Sequence, residues 1–442
     1  MKSDATRGDR RPFLGLMTAN TVSQIGNMMT AVAVPWFVLE TSGSAAQVGL
    51  VSASIAIGAV LPAILGGPLV DRIGLRRASV SADVLSSITV LLIPTLHLAG
   101  VLEFWMLPIL AFVLASVNAQ GDTGRLALLP ILAREAAVAP ERANAVDRAA
   151  ARSGQLVGPV LAGVLIAFIG PSNVLFVNVA TFVTSAVLVL FSVPPSIERR
   201  DIELRQPSGQ RYGADLAEGL RFVLSNRLVL GMVLLATVGN LLDVPLLQVV
   251  LPVYASEVFG SPTALGLLMG SFAGGALLGT IAFGVIGSRM PRRRTFLGSW
   301  LLLAVVVYGG LVLQPPLPVL VVVGLTGGLL SGPINPIILT VVQAETPPQL
   351  LGRVFGALTA VAQAGIPFGA AIIGLVIEGA GLIETIAGMG VLYVLTLTVM
   401  FTIPALRRMD AVSPAAAATV EPPTEAAPTP QARACATMKA GL

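Results

Sequence analysis

The chain has 442 residues, of which 55% are hydrophobic and only 11% are charged, with a net charge of +4. Soluble domains carry roughly 25% charged residues, so the composition excludes a soluble protein and indicates an integral membrane protein. With one cysteine, Cys435, and one histidine, His97, the chain offers no disulfide framework, no Cys or His metal site and no Ser-His-Asp or Cys-His catalytic set. No ATP-binding glycine-rich loop is present either, so we predict neither an enzyme nor a cofactor.

Apolar runs long enough to cross a bilayer, about 20 residues each, follow one another along the chain. They must be helical, because lipid cannot satisfy exposed backbone groups. The first run is too long for a signal-peptide core, so we interpret it as a span. The predicted spans are 13–39, 46–70, 78–100, 104–130, 149–169, 173–193, 228–255, 263–287, 295–313, 317–342, 354–378 and 382–405.

The basic residues indicate the orientation of these spans. All 27 Lys and Arg residues lie outside the apolar runs or at their ends, Arg125 being the deepest. With about twelve crossings, every one of them falls on the same side, which the positive-inside rule identifies as cytoplasmic. Both termini are therefore expected on the cytoplasmic side of the membrane.

The longest internal loop lies between spans 6 and 7. Its second part is predicted to form an amphipathic surface helix with an apolar face made of Leu216, Leu220, Val223 and Leu224. The Ala/Pro/Thr-rich end of the chain is predicted to be disordered. The predicted organisation is an N-terminal segment 1–12, a six-helix bundle 13–193, a linker 194–227, a second six-helix bundle 228–406 and a tail 407–442.

The two halves of the chain repeat each other. A shift of 217 residues places Pro35 on Pro252, Gly43-Ser44 on Gly260-Ser261, Gly49 on Gly266 and Arg76-Arg77 on Arg293-Arg294. Parallel repeats of six helices are typical of transporters whose halves rock around a midplane site.

Two motifs carry a resemblance to a known family. The loop after span 2 reads Gly67-Pro-Leu-Val-Asp71-Arg72-Ile-Gly74-Leu-Arg76-Arg77, which resembles the G-x-x-x-D-R-x-G-[RK]-[RK]-[RK] loop of the major facilitator superfamily. Span 5 contains Gly154-x-x-x-Gly158-Pro159-x-x-x-Gly163, which resembles the pattern of its drug:proton antiporter branch. Within the superfamily the chain is similar to bacterial exporters of macrolides, tetracyclines and siderophores.

The resemblance implies an all-α membrane protein with twelve transmembrane helices in two pseudo-symmetric bundles. It implies export of drugs or amphipathic small molecules by alternating access, in exchange for protons, by a monomer in the plasma membrane of a bacterium. Because the basic residues lie in short loops, where they set topology, the net positive charge does not indicate nucleic-acid binding. The alternatives are a dedicated exporter of one secreted metabolite, such as a siderophore, and a membrane sensor or lipid-handling protein that does not transport.

The loop motif implies a cytoplasmic gate in which Asp71 docks at the start of the eleventh helix. Gly67 and Gly74 would permit a close approach and a tight turn, and Arg72, Arg76 and Arg77 would pair with Asp83 and Asp122. The chain departs from the motif at Leu75, which is usually basic. Alternatively, the arginines are topology signals only.

The span 5 motif implies a hinge that seals the periplasmic side. Gly158-Pro159 and Ile366-Pro367 of span 11 would face each other by pseudo-symmetry, since glycine lets backbones touch and proline bends a helix. An ordinary kinked, packed helix explains the same residues.

Asp243 is the strongest single candidate for proton coupling. It lies near the middle of span 7 with no basic residue in the same span, and a carboxylate inside a membrane marks a functional site by default. The acid usual after a glycine in the first helix is absent, because Asn27 follows Gly26, and the repeat places Asp243 against Gly26. A carboxylate satisfied by neighbouring Asn and Ser groups is the alternative.

Asp122, three residues before Arg125, is predicted to pair with it along span 4 as a structural or gating pair. Polar residues on apolar helices would line a cavity for amphipathic compounds, although interhelical hydrogen bonds would explain many of them. The predicted lining residues are Asn20, Gln24, Asn27, Trp36, Asn118, Asn178, Asn240, Asn335 and Gln363.

Overall fold

A computed structural model of the chain describes residues 10–65, 73–195 and 212–410, which contain helices and no β-strand. The long helices, numbered in chain order, are α1 (Arg11–Ser42), α2 (Ala45–Leu65), α3 (Leu75–Leu98), α4 (Met106–Glu135), α5 (Pro140–Ile169), α6 (Pro171–Ser192), α7 (Arg227–Phe259), α8 (Pro262–Ile286), α9 (Arg292–Val312), α10 (Leu317–Glu345), α11 (Leu351–Ala380) and α12 (Leu382–Thr402). A shorter helix, Tyr212–Ser225, lies between α6 and α7 and is called the linker helix.

Length and apolarity allow ten of the described helices to cross a membrane. The two that fall outside this group are α2, whose apolar part is Ala45–Val60, and α4. The prediction of an all-helical, multi-pass membrane protein is therefore confirmed. Its helices run beyond the predicted spans in places: α4 continues to Glu135 and α7 to Phe259.

Three of the long helices are not regular α-helices throughout. α7 contains two π-helical turns, Leu246–Val250 and Ala255–Phe259, and α9 contains one, Ala304–Tyr308. α10 is interrupted between Ser331 and Ile334, where Gly332 and Pro333 stand. The π-helical turns of α7 and α9 are wider than α-helical turns, and such turns are rare and found mostly at functional sites.

The helices pack chiefly within two halves. In the N-terminal half (α1–α6), α1 packs against α5 and α6, α2 against α4, and α3 against α4 and α6. In the C-terminal half (α7–α12), α7 packs against α11 and α12, α8 against α10, and α9 against α10 and α12. The main contacts between the halves are α2 with α11 and α5 with α8, which are equivalent positions in the sequence repeat.

Glycines bring the backbones together where the halves cross. A Cβ on Gly49 of α2 would lie 2.5 Å from the Ala370 carbonyl oxygen and 3.0 Å from the Gly374 Cα of α11. At the other crossing, a Cβ on Gly163 of α5 would lie 3.0 Å from the Gly266 Cα of α8. Gly49 and Gly266 are the pair that the 217-residue shift superposes, so the repeat extends to the crossing points.

The linker helix packs on the start of α11. Arg353 Nε lies 2.8 Å from Asp215 Oδ1, and its Nη1 lies 2.5 Å from Glu218 Oε2. Leu216 and Val223 of the predicted apolar face point inward, whereas Leu220 and Leu224 are exposed. We call the side of the molecule that carries this helix and the start of α1 the linker side, and the other the opposite side. Both glycine crossings lie toward the opposite side, near the start of α2 and of α8.

We predict that Gly49→Ala destabilises the protein by about 1–3 kcal/mol, because an added methyl in a packed contact forces the backbones apart. Gly284→Ala is the matched control, since a Cβ at Gly284 in α8 meets nothing within 4 Å. Thermal melting of the detergent-purified variants measures the effect. Equal melting temperatures for both variants would contradict a tight α2–α11 crossing.

Candidate functional site

The predicted cytoplasmic gate is described only in part. Gly67, Asp71 and Arg72 lie outside the described residues, so the docking of Asp71 on α11 stays a prediction. Gly74 precedes α3 with a φ of 91°, a conformation that favours glycine. Arg76 donates a hydrogen bond to the Leu190 carbonyl oxygen of α6 at 2.7 Å, and its predicted pairing with Asp83 is wrong.

The partner of Asp83 is Arg125. The two side chains form a short, hydrogen-bonded ion pair between α3 and α4, and they are only 2% and 5% exposed. Ser185 of α6 donates to Asp83 Oδ2 at 2.7 Å and lies 3.2 Å from Arg125 Nη2, and Ser79 Oγ lies 3.3 Å from Arg125 Nε. The sequence prediction missed this pair because the partners are 42 residues apart.

Asp122 lies at the edge of this network. Its Oδ1 is 3.7 Å from Arg125 Nη1, the contact that the spacing along α4 predicts, but the side chain is 48% exposed. Arg125 therefore gives its close contacts to buried Asp83, and Asp122 is the outer, weaker partner.

The three glycines of the span 5 motif make two different contacts. A Cβ on Gly154 would lie 3.0 Å from the Gln24 Cβ, and one on Gly158 would lie 2.4 Å from the Met28 Cβ. Both glycines therefore pack against α1. Gly163 packs against α8 instead. The expectation that Pro159 and Pro367 face each other is wrong: Gly365 and Gly369, which flank Pro367, pack on Leu241 of α7, within the C-terminal half.

Several predicted cavity residues are held by hydrogen bonds between helices. Asn20 of α1 donates to Asp147 Oδ1 of α5 at 2.9 Å. Asn118 of α4 donates to Asn27 Oδ1 at 3.0 Å and accepts from Ser86 of α3 at 2.7 Å. Asn178 of α6 is fully buried and bonds Thr30 of α1. These hydrogen bonds join α1 to α4, α5 and α6.

The remaining cavity candidates differ in their access to solvent. Asn240 of α7 donates to the Ala362 carbonyl oxygen of α11 at 2.9 Å and is partly exposed. Trp36 is 8% exposed. Asn335 is exposed, whereas Gln24 and Gln363 are half-buried. Gln24, Asn27, Asn118, Asn240 and Gln363 are thus the candidates that combine a polar group with partial access.

Asp243 occupies a different kind of site. Its carboxylate accepts hydrogen bonds from two tyrosine hydroxyls, Tyr308 of α9 at 3.0 Å and Tyr393 of α12 at 2.8 Å. The tyrosine rings are 5.7 Å apart, and the Trp300 ring lies 5.7 Å from that of Tyr393. Among the described residues, no cationic side chain forms an ion pair or a hydrogen bond with Asp243. The partly buried carboxylate is therefore held by neutral donors on two neighbouring aromatic rings.

The helix irregularities lie next to this site. Pro245 and the π turn Leu246–Val250 follow Asp243 directly on α7, and Tyr308 is the last residue of the π turn on α9. A Cβ on Gly239, one turn before Asp243, would lie 2.2 Å from the Trp300 ring, so the glycine admits the indole. The available sequence signal was that three of the four tyrosines, Tyr254, Tyr308 and Tyr393, stand inside apolar spans.

The chemistry of the Asp243 site is that of a proton acceptor. A partly buried carboxylate inside a membrane span, with neutral partners, is costly in its charged form. Binding one proton removes that cost, and both tyrosine hydroxyls can still donate to a carboxyl oxygen. By contrast, the charge of Asp83 is neutralised by Arg125. No group of three or more His, Cys, Asp or Glu side chains suited to a metal ion occurs in the described ranges.

We predict that Asp83→Leu destabilises the protein by about 3–5 kcal/mol, because it leaves Arg125 charged and buried without a partner. The double variant Asp83→Leu/Arg125→Met recovers most of that loss, since no buried charge remains. Asp122→Asn, at an exposed position, serves as the control and melts close to the wild type. Thermal melting in detergent measures all three, and a double variant no more stable than the single one would contradict the pairing.

Comparison with known proteins identifies the family of the chain. The family model described as transmembrane secretion effector matches residues 9–436. The multidrug efflux pump Tap of Mycobacterium tuberculosis is 31% identical over 407 residues, covering 91% of this chain and 96% of Tap. The enterobactin exporter EntS of Escherichia coli is 28% identical over 375 residues, covering 82% of this chain and 84% of EntS.

Among solved structures, the nucleoside transporter NupG has the same fold, with a TM-score of 0.71 at 14% identity, covering 89% of this chain and 99% of NupG. The family match spans nearly the whole chain, and the Tap alignment covers nearly the whole of both proteins. The chain therefore belongs to the transmembrane secretion effector family, whose members are transporters of the major facilitator superfamily.

Proposed function

We propose that the protein exports drugs or other amphipathic small molecules from a bacterial cell in exchange for protons, with Asp243 as the proton site. The observation that supports proton coupling is the Asp243 carboxylate, which is held by Tyr308 and Tyr393 and has no cationic partner among the described residues. The similarity to a multidrug efflux pump over 91% of the chain supports the substrate class.

We further propose that α1–α12 all cross the membrane, as two six-helix bundles joined by the linker. The packing of the helices within two halves supports this division. The linker side is then cytoplasmic, because arginines gather at the ends of helices on that side, among them Arg134, Arg227, Arg289 and Arg353.

The arrangement of contacts supports an inward-facing state. The halves touch at Gly49–Gly374 and Gly163–Gly266, toward the opposite side, where the helices approach to backbone contact. Substrate would then enter from the cytoplasm and meet the partly exposed polar groups of Gln24, Asn27, Asn118 and Asn240. Since Asp243 bonds α9 and α12 rather than these groups, proton and substrate would occupy separate sites coupled through α7.

A dedicated exporter of a single metabolite is the second candidate. The 28% identity to an enterobactin exporter over 82% of the chain favours a siderophore as that metabolite. The two candidates differ in breadth of substrate, so a panel of macrolides, tetracyclines and siderophores separates them.

We predict that Asp243→Asn abolishes proton-driven transport but preserves passive substrate exchange, because the amide keeps the site filled and cannot take up and release a proton. Purified protein in liposomes, with a pH dye inside and labelled tetracycline or macrolide outside, measures both activities. Glu384→Gln, which neutralises an exposed acid at the start of α12, is the matched control and transports like the wild type. Gradient-driven accumulation by Asp243→Asn would refute the assignment of the proton site.

A further inference from the structure

The start of α2 is capped by a residue of the other half. Ser44 precedes the helix, and its hydroxyl oxygen accepts a hydrogen bond from the Gln47 N–H at 3.2 Å. The first N–H groups of a helix have no partner within the helix, and the helix dipole favours a negative charge beside them. In an ordinary capping box, that charge comes from the third residue of the same helix.

Here the carboxylate comes from α11. Glu378, in the last turn of α11, accepts a hydrogen bond from the Ser44 hydroxyl at 2.8 Å and one from the Ala46 N–H at 3.0 Å, both at Oε2. Glu378 stands one helical turn beyond Gly374, where α2 and α11 cross. A charged hydrogen-bonding group therefore joins the two halves at the edge of their tightest contact.

The equivalent crossing between α5 and α8 has no such carboxylate. Ser261 caps α8 as Ser44 caps α2, accepting from the Ala264 N–H at 3.4 Å. The residue one turn beyond Gly163 is Ala167, which is exposed and has no acceptor in its side chain. A hydrogen bond between neutral groups joins these two helices: the Thr263 hydroxyl donates to the Gly163 carbonyl oxygen at 3.4 Å.

We propose that Glu378 is a latch that holds the opposite, external side of the transporter closed. Outward opening must pull the start of α2 away from the end of α11, which breaks both hydrogen bonds and removes the carboxylate from the α2 dipole. Glu378 thus sets the balance between inward- and outward-facing states without touching substrate. This inference rests on the proposed alternating-access function, and its test reads conformation rather than transport.

The test uses distances between spin labels in the full-length protein with Cys435→Ser. Labels at Val101→Cys and Leu313→Cys, two exposed positions on the external side of different halves, report external opening. Labels at Glu135→Cys and Gln349→Cys, exposed on the linker side, report the reciprocal closure. Double electron–electron resonance gives the populations in liposomes.

We expect Glu378→Ala and Ser44→Ala each to raise the ratio of externally open to closed molecules about two- to fivefold, the size of a charge–dipole contact at an exposed helix N-terminus. For the label pair on the linker side, the population with the short distance should grow by the same factor. Glu384→Ala removes an acid from the same side and leaves the distribution unchanged.

Adding a carboxylate at the equivalent α5–α8 crossing tests the role of Glu378 in the opposite direction. Ala167→Glu places a carboxylate beside Ser261 and should lower the open fraction by a similar factor, whereas Ala167→Gln, of the same shape without the charge, should lower it less. Populations unchanged in both Glu378→Ala and Ala167→Glu would overturn the proposal. A failure of proton-driven transport with the distance shifts intact would instead count against the proposed function alone.

Discussion

The architecture depends on two places where helices of opposite halves come into backbone contact. At Gly49–Gly374 and at Gly163–Gly266, there is no room for a Cβ on either side. Lipid provides no hydrophobic drive between helices, so close packing and hydrogen bonds must hold them together. The glycine pairs supply the close packing, because they let whole backbones approach.

The halves share these glycine contacts but differ in the partners of the acidic residues inside their helices. In the N-terminal half, Asp83 and Arg125 neutralise each other, with serines completing the hydrogen bonds. In the C-terminal half, Asp243 has only tyrosine hydroxyls. A neutralised pair resists change, because separating it leaves a charge in a dry environment. A lone acid can change its charge by exchanging a proton, so the two halves of the repeat differ in whether their internal acid has a cationic partner.

Patterns that extend over many residues were predictable from the sequence, whereas contacts between distant helices were not. The apolar runs and the arginine positions indicated a multi-pass helical protein, and the repeat correctly matched Gly49 with Gly266. Local spacing pointed to Asp122 as the partner of Arg125, but burial favoured Asp83, because the dry interior penalises an unpaired charge more than the surface does. Tyr308 and Tyr393 reach Asp243 from 65 and 150 residues away, and a helical period says nothing about such distances.

The π turns of α7 give its outer end a mechanical property that α1 lacks. α1 is a continuous α-helix from Arg11 to Ser42, whereas α7 has wide turns at Leu246–Val250 and Ala255–Phe259. A wide turn holds one extra residue, and passing that residue along the helix rotates the segment beyond it by a fraction of a turn while most hydrogen bonds persist. The outer third of α7 can therefore twist relative to Asp243. The sequence repeat therefore does not extend to the regularity of these two helices: α1 has no π turn, whereas α7 has two turns at which it can bend.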